Sequence, residues 1–300
     1  LVQSMKLLKA GGILSMIQPS GPLLYQKDLK FKEDVFSTYN LLQVIDFTKL
    51  ADKLWGKKNV STAAVFLQKS RPDSEPVLHL IANRTFSNAN KLFLEFDYYD
   101  FHFMSKNDAI FKPYTWKAHL LGGGRITSLI ERLSTLPTLK EFLKEKERKE
   151  GWCVGIGYII GDKSNKADFI TGKETIPVEA LTENGIDEKQ IHECLIQRFE
   201  RPRKTKKKIY EGPHILIRVI TGNQGIPIAY SEKYLTFPFG IIGIHAPQDD
   251  KSELSALYDY LRENNSLLRS YILATSGRAM IGKATSINKD DIMRIPYSHN

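Results

Sequence analysis

Trp55 stands beside two cations on a segment that leads into an apolar run. It is followed by a glycine and by Lys57, Lys58 and Asn59, and residues 60–67 are rich in small and β-branched side chains, which predicts a buried strand. A flat ring next to lysines, at the start of a strand, suits stacking on a nucleic-acid base close to phosphates. A tryptophan that closes a hydrophobic core would give the same pattern, and the residues alone do not separate the two interpretations.

A dense basic run in residues 198–208 is a second candidate for binding chemistry, and its one acid is Glu200. Like charges at this density repel one another, so the run requires solvent or phosphates around it. Phosphate contacts would give an affinity that falls with salt. A solvated linker is the alternative interpretation. The candidate DNA-binding residues of the run are Arg201, Arg203, Lys204, Lys206, Lys207 and Lys208.

A third candidate group lies close to the end of the chain, where Arg278, Lys283, Thr285 and Ser286 follow a predicted helix. Positive and hydroxyl side chains supply most hydrogen bonds to DNA phosphates, and the same groups can reach base edges. A packed turn and a helix cap would use the same residue types. Both interpretations are therefore kept.

Composition narrows the class of partner. The 300 residues carry a formal net charge of +9, with a pI of about 9.3, which favours DNA, RNA or an acidic membrane as partner. Cys153 and Cys194 lack metal-ligand or disulfide-scaffold spacing, so a reducing cytoplasm fits best and no metal is expected. No apolar run reaches the roughly 18 residues of a membrane span. DNA is the partner that we expect, and not a membrane.

Other catalytic patterns are missing from the sequence. No Gly-x-Ser-x-Gly elbow occurs, and Pro72-Asp73 is not followed by the acid and lysine spacing of a metal-dependent nuclease. His102 lies in an aromatic stretch, residues 92–103, that predicts a half-buried strand or a segment lying across another domain. We interpret this histidine as a packing residue, since no metal-ligand partner stands at a suitable spacing.

In the first half, predicted helices and strands alternate as in an α/β sheet. We predict a helix in residues 1–9, a strand in 13–17, a helix in 27–39 and strands in 44–47, 60–67 and 77–82. The chain begins at Leu1 with helical spacing already in place, so we expect a piece of a longer protein. Two further helices are predicted in residues 125–133 and 139–149.

The second half is predicted to consist of short strands separated by turns, which suits a recognition module. These strands lie in residues 154–160, 168–170, 214–220, 226–230 and 240–244. A long helix is predicted in residues 252–275, capped by Ser252, and a final short helix is predicted with Asn288 or Ser286 as its cap.

Three segments in order resemble adenine-N6 DNA methyltransferases of the TaqI type. Residues 7–20, LLKAGGILSMIQPS, resemble the segment of the fifth strand, and residues 44–47 fall where that family has its sixth strand. Residues 55–62, WGKKNVST, are similar to the eighth motif, a loop that enters an antiparallel seventh strand. The resemblance implies that Trp55 stacks on an adenine flipped out of the duplex. Residues 113–117 resemble a junction before a DNA-recognition domain, so Trp116 is expected to pack between domains.

The family's cofactor and amine-binding motifs are not found. S-adenosylmethionine needs a glycine-rich strand-to-helix turn, and the target amine needs an (Asp/Asn/Ser)-Pro-Pro-aromatic loop, yet the sequence has no Pro-Pro dipeptide. Both precede the fifth strand in the family. We expect S-adenosylmethionine to act in the full-length parent, no cofactor to bind this chain, and no catalytic residue in it.

The sequence therefore predicts an α/β protein, formed by the C-terminal part of a Rossmann-like methyltransferase sheet in residues 1–112 and a mixed α+β DNA target-recognition domain in residues 113–300. The second part resembles, more loosely, the recognition domains of restriction-modification enzymes. Expected partners are double-stranded DNA and the missing N-terminal part, and a fused nuclease is left open. A non-catalytic DNA-specificity subunit is the alternative function, and an RNA-binding module is a third.

Overall fold

The structure is a computed structural model that describes residues 1–25, 29–55, 60–84, 94–220, 225–281 and 287–298. The chain folds into two compact units, each of which is described by itself below. Unit 1 comprises Leu1–Leu133 and Leu273–Thr285, and unit 2 comprises Ser134–Ile272 and Ser286–Asn300. These bounds differ from the division at 112/113 expected from the sequence, and the assignment of a function to each part stays a prediction.

Unit 1 contains a sheet with helices against it, and its elements follow the predicted order closely. The predicted helix at the start ends earlier than expected, and the first two strands are longer. The elements are α1 (Val2–Leu7), β1 (Ile13–Pro19), α2 (Leu29–Phe36), β2 (Asn40–Asp46), α3 (Ala51–Leu54), β3 (Thr62–Gln68), β4 (Val77–Ile81), β5 (Asn83–Arg84), β6 (Leu94–Glu95), β7 (Phe101–Met104), α4 (Lys106–Phe111), α5 (Pro113–Leu120) and α6 (Gly124–Leu133).

The main sheet of unit 1 has the strand order β1-β3-β2-β4-β7. β3 lies between β1 and β2 and is antiparallel to both, whereas β2 and β4 are parallel. The antiparallel direction of β3 is the one that the family resemblance implies. Since the sheet is mixed and packed against helices, the predicted α/β fold class is confirmed.

The core of unit 1 forms where alternate residues of the strands meet the helices. Ala63, Val65 and Leu67 alternate along β3 and are fully buried, because successive side chains of a strand point to opposite faces. Trp116 of α5 is also fully buried in this cluster, and its indole Nε1 donates a hydrogen bond to the carbonyl of Ala109 at 2.9 Å. Trp116 is therefore a core residue of unit 1, and the expectation of packing between domains is wrong.

Unit 2 is built from short strands and four helices or parts of helices within the described residues. α9 begins in unit 2, and its last residues are grouped with unit 1. The elements are α7 (Leu139–Lys149), β8 (Cys153–Ile156), β9 (Ile159–Asn165), β10 (Glu174–Thr175), β11 (Leu181–Thr182), β12 (Gly185–Ile186), β13 (His192–Glu193), β14 (Phe199–Arg201), β15 (His214–Arg218), β16 (Ile228–Ser231), β17 (Ile241–His245), α8 (Lys251–Glu263), α9 (Asn265–Thr275) and α10 (Lys289–Met293).

The largest sheet of unit 2 is antiparallel, with the order β16-β15-β17-β8. Phe237 and Tyr210 pack edge to face against it, with ring centroids 5.0 Å apart. The predicted α10 is confirmed with Asn288 as its cap, since the Asn288 side chain and Asp291 form a capping box.

Three local predictions in unit 2 are wrong. Residues 168–170 form a turn and not a strand, because their polar and apolar residues close a tight bend instead of pairing. The long helix predicted over 252–275 is two helices, α8 and α9, which meet at Asn264. The cap position of α8 is Asp250, not Ser252, and no side chain bonds there.

A test of unit 2 packing is offered by Gly157, where a Cβ would lie 2.2 Å from the Phe237 carbonyl oxygen. We expect Gly157→Ala to destabilise the protein by about 3 kcal/mol, because backbone must move to admit the methyl group. Chemical denaturation followed by circular dichroism measures the change. Gly124→Ala is the control, since a Cβ there meets open space. Equal stability of the two variants would contradict this packing.

Candidate nucleic-acid interface

One edge of the unit 1 sheet collects the carboxyl ends of the parallel strands. Pro19 at the end of β1 pairs with Thr62, and Asp46 at the end of β2 pairs with Ala63 on one side and Ile81 on the other. The antiparallel β3 therefore begins where β1, β2 and β4 end. Ligands of open α/β sheets bind outside the carboxyl ends of the strands, so this edge is the candidate site.

Trp55 lies at this edge. The residue follows α3 and is 43% exposed, and its indole Nε1 donates a hydrogen bond to the Thr62 hydroxyl oxygen at 3.0 Å. A tryptophan that closed a core would be covered, whereas this ring is held by its polar atom with part of its surface open. Part of the ring is therefore open to contact from outside unit 1. The predicted neighbours Lys57, Lys58 and Asn59 lie outside the described residues.

A buried polar network connects the turns around the same edge. The carboxylate of Asp46 is fully buried and accepts hydrogen bonds from the Tyr25 hydroxyl and from the Thr48 backbone N–H, the latter at 2.8 Å. Burial raises the pKa of Asp46, but the nearby His79 and hydrogen bonds from Thr48 and Tyr25 outweigh it and hold the pKa below its usual value. Asp46 thus stays ionised and fixes both turns.

Three histidines cluster behind Asp46. His79 Nδ1 lies 3.3 Å from His119 Nδ1, and the His119 and His102 rings stack at 4.5 Å. His79 Nε2 lies 3.5 Å from an Asp46 oxygen. The sequence did not show this cluster, because the three residues come from β4, β7 and α5 and meet only in the folded sheet. The interpretation of His102 as a packing residue is confirmed.

Some residues of the predicted basic run form bonds within unit 2, and others are exposed to solvent. Arg203 Nε donates to the Gly157 carbonyl at 3.2 Å, and Lys206 pairs with Glu147 at 2.6 Å, so both hold the loop in unit 2. Arg201 lies 3.6 Å from Glu200 and remains exposed. A group of three exposed lysines without an ion pair to any described residue remains, and we call it the basic ridge: Lys204, Lys207 and Lys208.

The third predicted group belongs to unit 1. Arg278 is exposed in a segment that the buried Lys117 ties down, since the Lys117 ammonium donates to the carbonyls of Ser276, at 3.3 Å, and Ala279. Arg278 is therefore placed in a different unit from the basic ridge. Lys283, Thr285 and Ser286 lie outside the described residues, and their roles stay predictions.

One cluster of acids meets in unit 2, formed by Glu150, Asp250 and Glu253. Side chains of unit 2 already bond to all three carboxylates. The Lys146 ammonium bonds to Glu150 and Glu253, and the Trp152 indole donates to Asp250 at 2.8 Å. The cluster is therefore a packed ion-pair network.

Among the helices that the structure describes, none has the length and apolar character needed to cross a membrane.

Comparison with known proteins gives fold resemblances only. No protein-family model and no curated protein matches the chain. The type IIG restriction endonuclease BpuSI is similar at 11% identity over 97% of this chain and 40% of that chain, with a TM-score of 0.36. DrdV in complex with DNA is similar at 11% identity over 98% of this chain and 36% of that chain, with a TM-score of 0.40. The type IIL restriction-modification enzyme MmeI in complex with DNA is similar at 9% identity over 95% of this chain and 38% of that chain, with a TM-score of 0.44.

The chain spans 36–40% of the length of these three proteins. At such low identities and TM-scores the likeness assigns no function to it.

The anchor of Trp55 can be tested by fluorescence quenching. Trp116 and Trp152 are 0% and 3% exposed, so acrylamide should quench chiefly Trp55. We expect Thr62→Val to increase quenching, because it removes the oxygen that accepts the indole hydrogen bond, worth about 1 kcal/mol. Thr62→Ser keeps that oxygen and should behave as wild type. Identical quenching of the valine and serine variants would refute the anchor.

The histidine cluster predicts a dependence of stability on pH. Burial, with the nearby His79 and His102, lowers the pKa of His119 from 6.5 to about 3. The unfolded chain therefore takes up the proton first, and stability is lost as pH falls below 6.5, by about 2 kcal/mol between pH 7 and 5. Urea denaturation at the two pH values measures this loss, and His119→Gln should reduce it. An unchanged loss in the variant would count against the cluster.

Proposed function

We propose that this chain supplies target recognition and the base-stacking surface of a site-specific adenine-N6 DNA methyltransferase of a restriction-modification system. The observation that carries the proposal is the position of Trp55, a half-open ring anchored at the carboxyl edge of a mixed sheet. An enzyme that acts on a base inside a duplex extrudes it and stacks it on an aromatic side chain. Trp55 offers such a surface where the sheet places its ligands.

The strand directions support the same proposal. The family resemblance implies an antiparallel strand after the loop of Trp55, and β3 has that direction between β1 and β2. The first residue of β3, Thr62, holds the ring. The segment that resembles the family's stacking loop therefore leads into a strand of the implied direction, and the same strand positions the aromatic residue.

Phosphate contacts would come from exposed cations. The basic ridge of Lys204, Lys207 and Lys208 stands out from unit 2 on a 3₁₀ segment, Lys204–Tyr210, whose Ile209 and Tyr210 are buried. The buried residues fix the segment, so the ammonium groups are presented from a rigid support. Arg201 and Arg278 are further exposed cations of the two units.

S-adenosylmethionine would belong to the full-length parent, and the described residues of unit 1 do not fit it. The turn after β1, Gly21–Tyr25, carries the bulky, buried side chains of Leu23, Leu24 and Tyr25, unlike the glycine-rich turn that S-adenosylmethionine needs. The turn after β2, Thr48–Leu50, contains no glycine. We therefore assign no step of methyl transfer to this chain.

A DNA-specificity subunit without catalysis is the second candidate. Such a subunit would need neither the cofactor turn nor the Pro-Pro loop, whereas the methyltransferase would carry both before its fifth strand; the 300 residues contain no Pro-Pro dipeptide. The coding sequence upstream of Leu1 separates the two. An Asn-Pro-Pro-Tyr-like motif in the same reading frame supports the methyltransferase, and an upstream frame without one refutes it.

Removal of the Trp55 ring tests the proposed stacking. We expect Trp55→Ala to weaken binding to a duplex with an abasic or mismatched target by about tenfold, with little change on a fully paired duplex. Trp55→Phe keeps a ring and is the control. Fluorescence anisotropy measures both affinities. Equal losses on the two duplexes would contradict base stacking.

Neutralisation of the basic ridge tests the phosphate contacts. We expect Lys204, Lys207 and Lys208 changed together to Gln to reduce the slope of log K against log salt by roughly 2–3, since each contact contributes about 0.9. The matched control changes three exposed cations of α7 to Gln, with the same loss of charge: Lys140, Lys144 and Arg148.

A salt slope reduced equally by both sets would assign the effect to net charge alone and refute the ridge as a contact surface.

A further inference from the structure

Two adjacent tyrosines of unit 1 are almost fully open to solvent. Tyr98 is 83% exposed and Tyr99 is 79% exposed, and their rings meet edge to face with centroids 5.8 Å apart. They belong to the aromatic stretch predicted to be a half-buried strand or a segment lying across another domain; the strand prediction is wrong for these two residues, which lie in a turn. Neither ring contributes to the core, so core packing does not explain them.

The turn that carries the tyrosines is held rigidly. Residues Tyr98–Asp100 form a 3₁₀ turn closed by a capping box, in which Asp97 accepts from the Tyr98 N–H at 2.7 Å and Asp100 accepts from the Asp97 N–H at 2.8 Å. The Asn83 side chain also donates to Asp100. The acids of the turn are thus engaged with its own backbone and with β5. Rigid aromatic rings lose little conformational entropy on contact with a ligand.

The turn lies at the same edge of the sheet as Trp55. Phe101, which follows the turn, pairs with Leu80 at the carboxyl end of β4. β5 packs against the 3₁₀ turn Thr48–Leu50, which in turn contacts α3, the helix that ends before Trp55. Lys49 on that turn is exposed and forms no ion pair with the described residues. A cation therefore stands on the element that links the two aromatic positions.

We propose that Tyr98 and Tyr99 form a second stacking site, which binds unpaired nucleotides beside the site of Trp55. Exposed rings and a cation at one edge of a sheet suit the binding of unpaired strands, since every base has a face that stacks and each phosphate is attracted to a lysine. The inference rests on the proposed function, because a flipped base leaves its former partner unpaired and its neighbours without a stacking contact. It adds a surface for those nucleotides at the same edge.

The test uses the purified chain and a fluorescent single-stranded oligonucleotide of mixed sequence, followed by anisotropy. Tyr98→Ala with Tyr99→Ala should weaken binding about tenfold, whereas Tyr98→Phe with Tyr99→Phe keeps both rings and should stay within about twofold of wild type. Phe239→Ala is the matched control, since Phe239 is a 59% exposed aromatic residue of unit 2. Circular dichroism checks that each variant is folded.

Wild-type affinity of the alanine pair overturns the proposal and points to a protein partner for the tyrosines. A loss of the same size in Phe239→Ala also overturns it, because any exposed ring would then suffice.

Trp55→Ala, measured on a mismatched duplex in the same series, separates this site from the proposed function. A loss for Trp55→Ala with none for the tyrosine pair refutes the second site and leaves the proposed function intact. A loss for the tyrosine pair alone supports the second site and refutes stacking by Trp55.

Discussion

The reversal of β3 is the constraint on which the candidate site depends. β1, β2 and β4 run in one direction, and β3 enters between two of them in the opposite direction. Its first residue, Thr62, must then lie beside their carboxyl ends. The segment that enters β3 is thereby brought to the carboxyl edge of the sheet, where open α/β sheets bind their ligands, and Trp55 is fixed there through the Thr62 hydroxyl.

The buried Asp46 carboxylate stabilises the same edge by a different means. An ion removed from water costs several kcal/mol unless hydrogen bonds and charges compensate it. Tyr25, Thr48 and His79 surround Asp46, and they come from the turn after β1, the turn after β2, and β4. One carboxylate therefore fixes the two turns at the edge that carries Trp55, and its partners explain how a charged group is tolerated so deep in unit 1.

The local sequence pattern predicted the positions of the helices and strands well. The exposure of individual side chains could be read only from the folded structure. Apolar runs gave β1, β2 and β3 within a few residues, and the cap at Asn288 followed from its own spacing to Asp291. Exposure could not be obtained in this way. Trp116 and Tyr98 are both aromatic residues in aromatic surroundings, yet one is fully buried and the other 83% exposed. Tertiary packing alone decides between them.

The candidate site shows the same limit. Trp55 could be identified as a candidate from the sequence, because the residues that point to it follow it directly in one segment. The histidine cluster could not, since His79, His102 and His119 meet only after β4, β7 and α5 have packed. Of the basic run, sequence density did not show that Arg203 and Lys206 are committed to Gly157 and Glu147. A sequence gives the number of basic residues in a run, and only the folded structure shows which of them are free of bonds to the protein itself.

The central claim is that an unstacked base contacts Trp55, and photo-crosslinking tests it most directly. A duplex with 5-iodouracil at a mismatched position is bound to the purified chain, irradiated and digested, and the attached peptide is mapped by mass spectrometry. The account predicts a cross-link at Trp55 that is lost when the iodouracil is fully paired. Cross-links confined to unit 2, or equal at paired and mismatched positions, would contradict it.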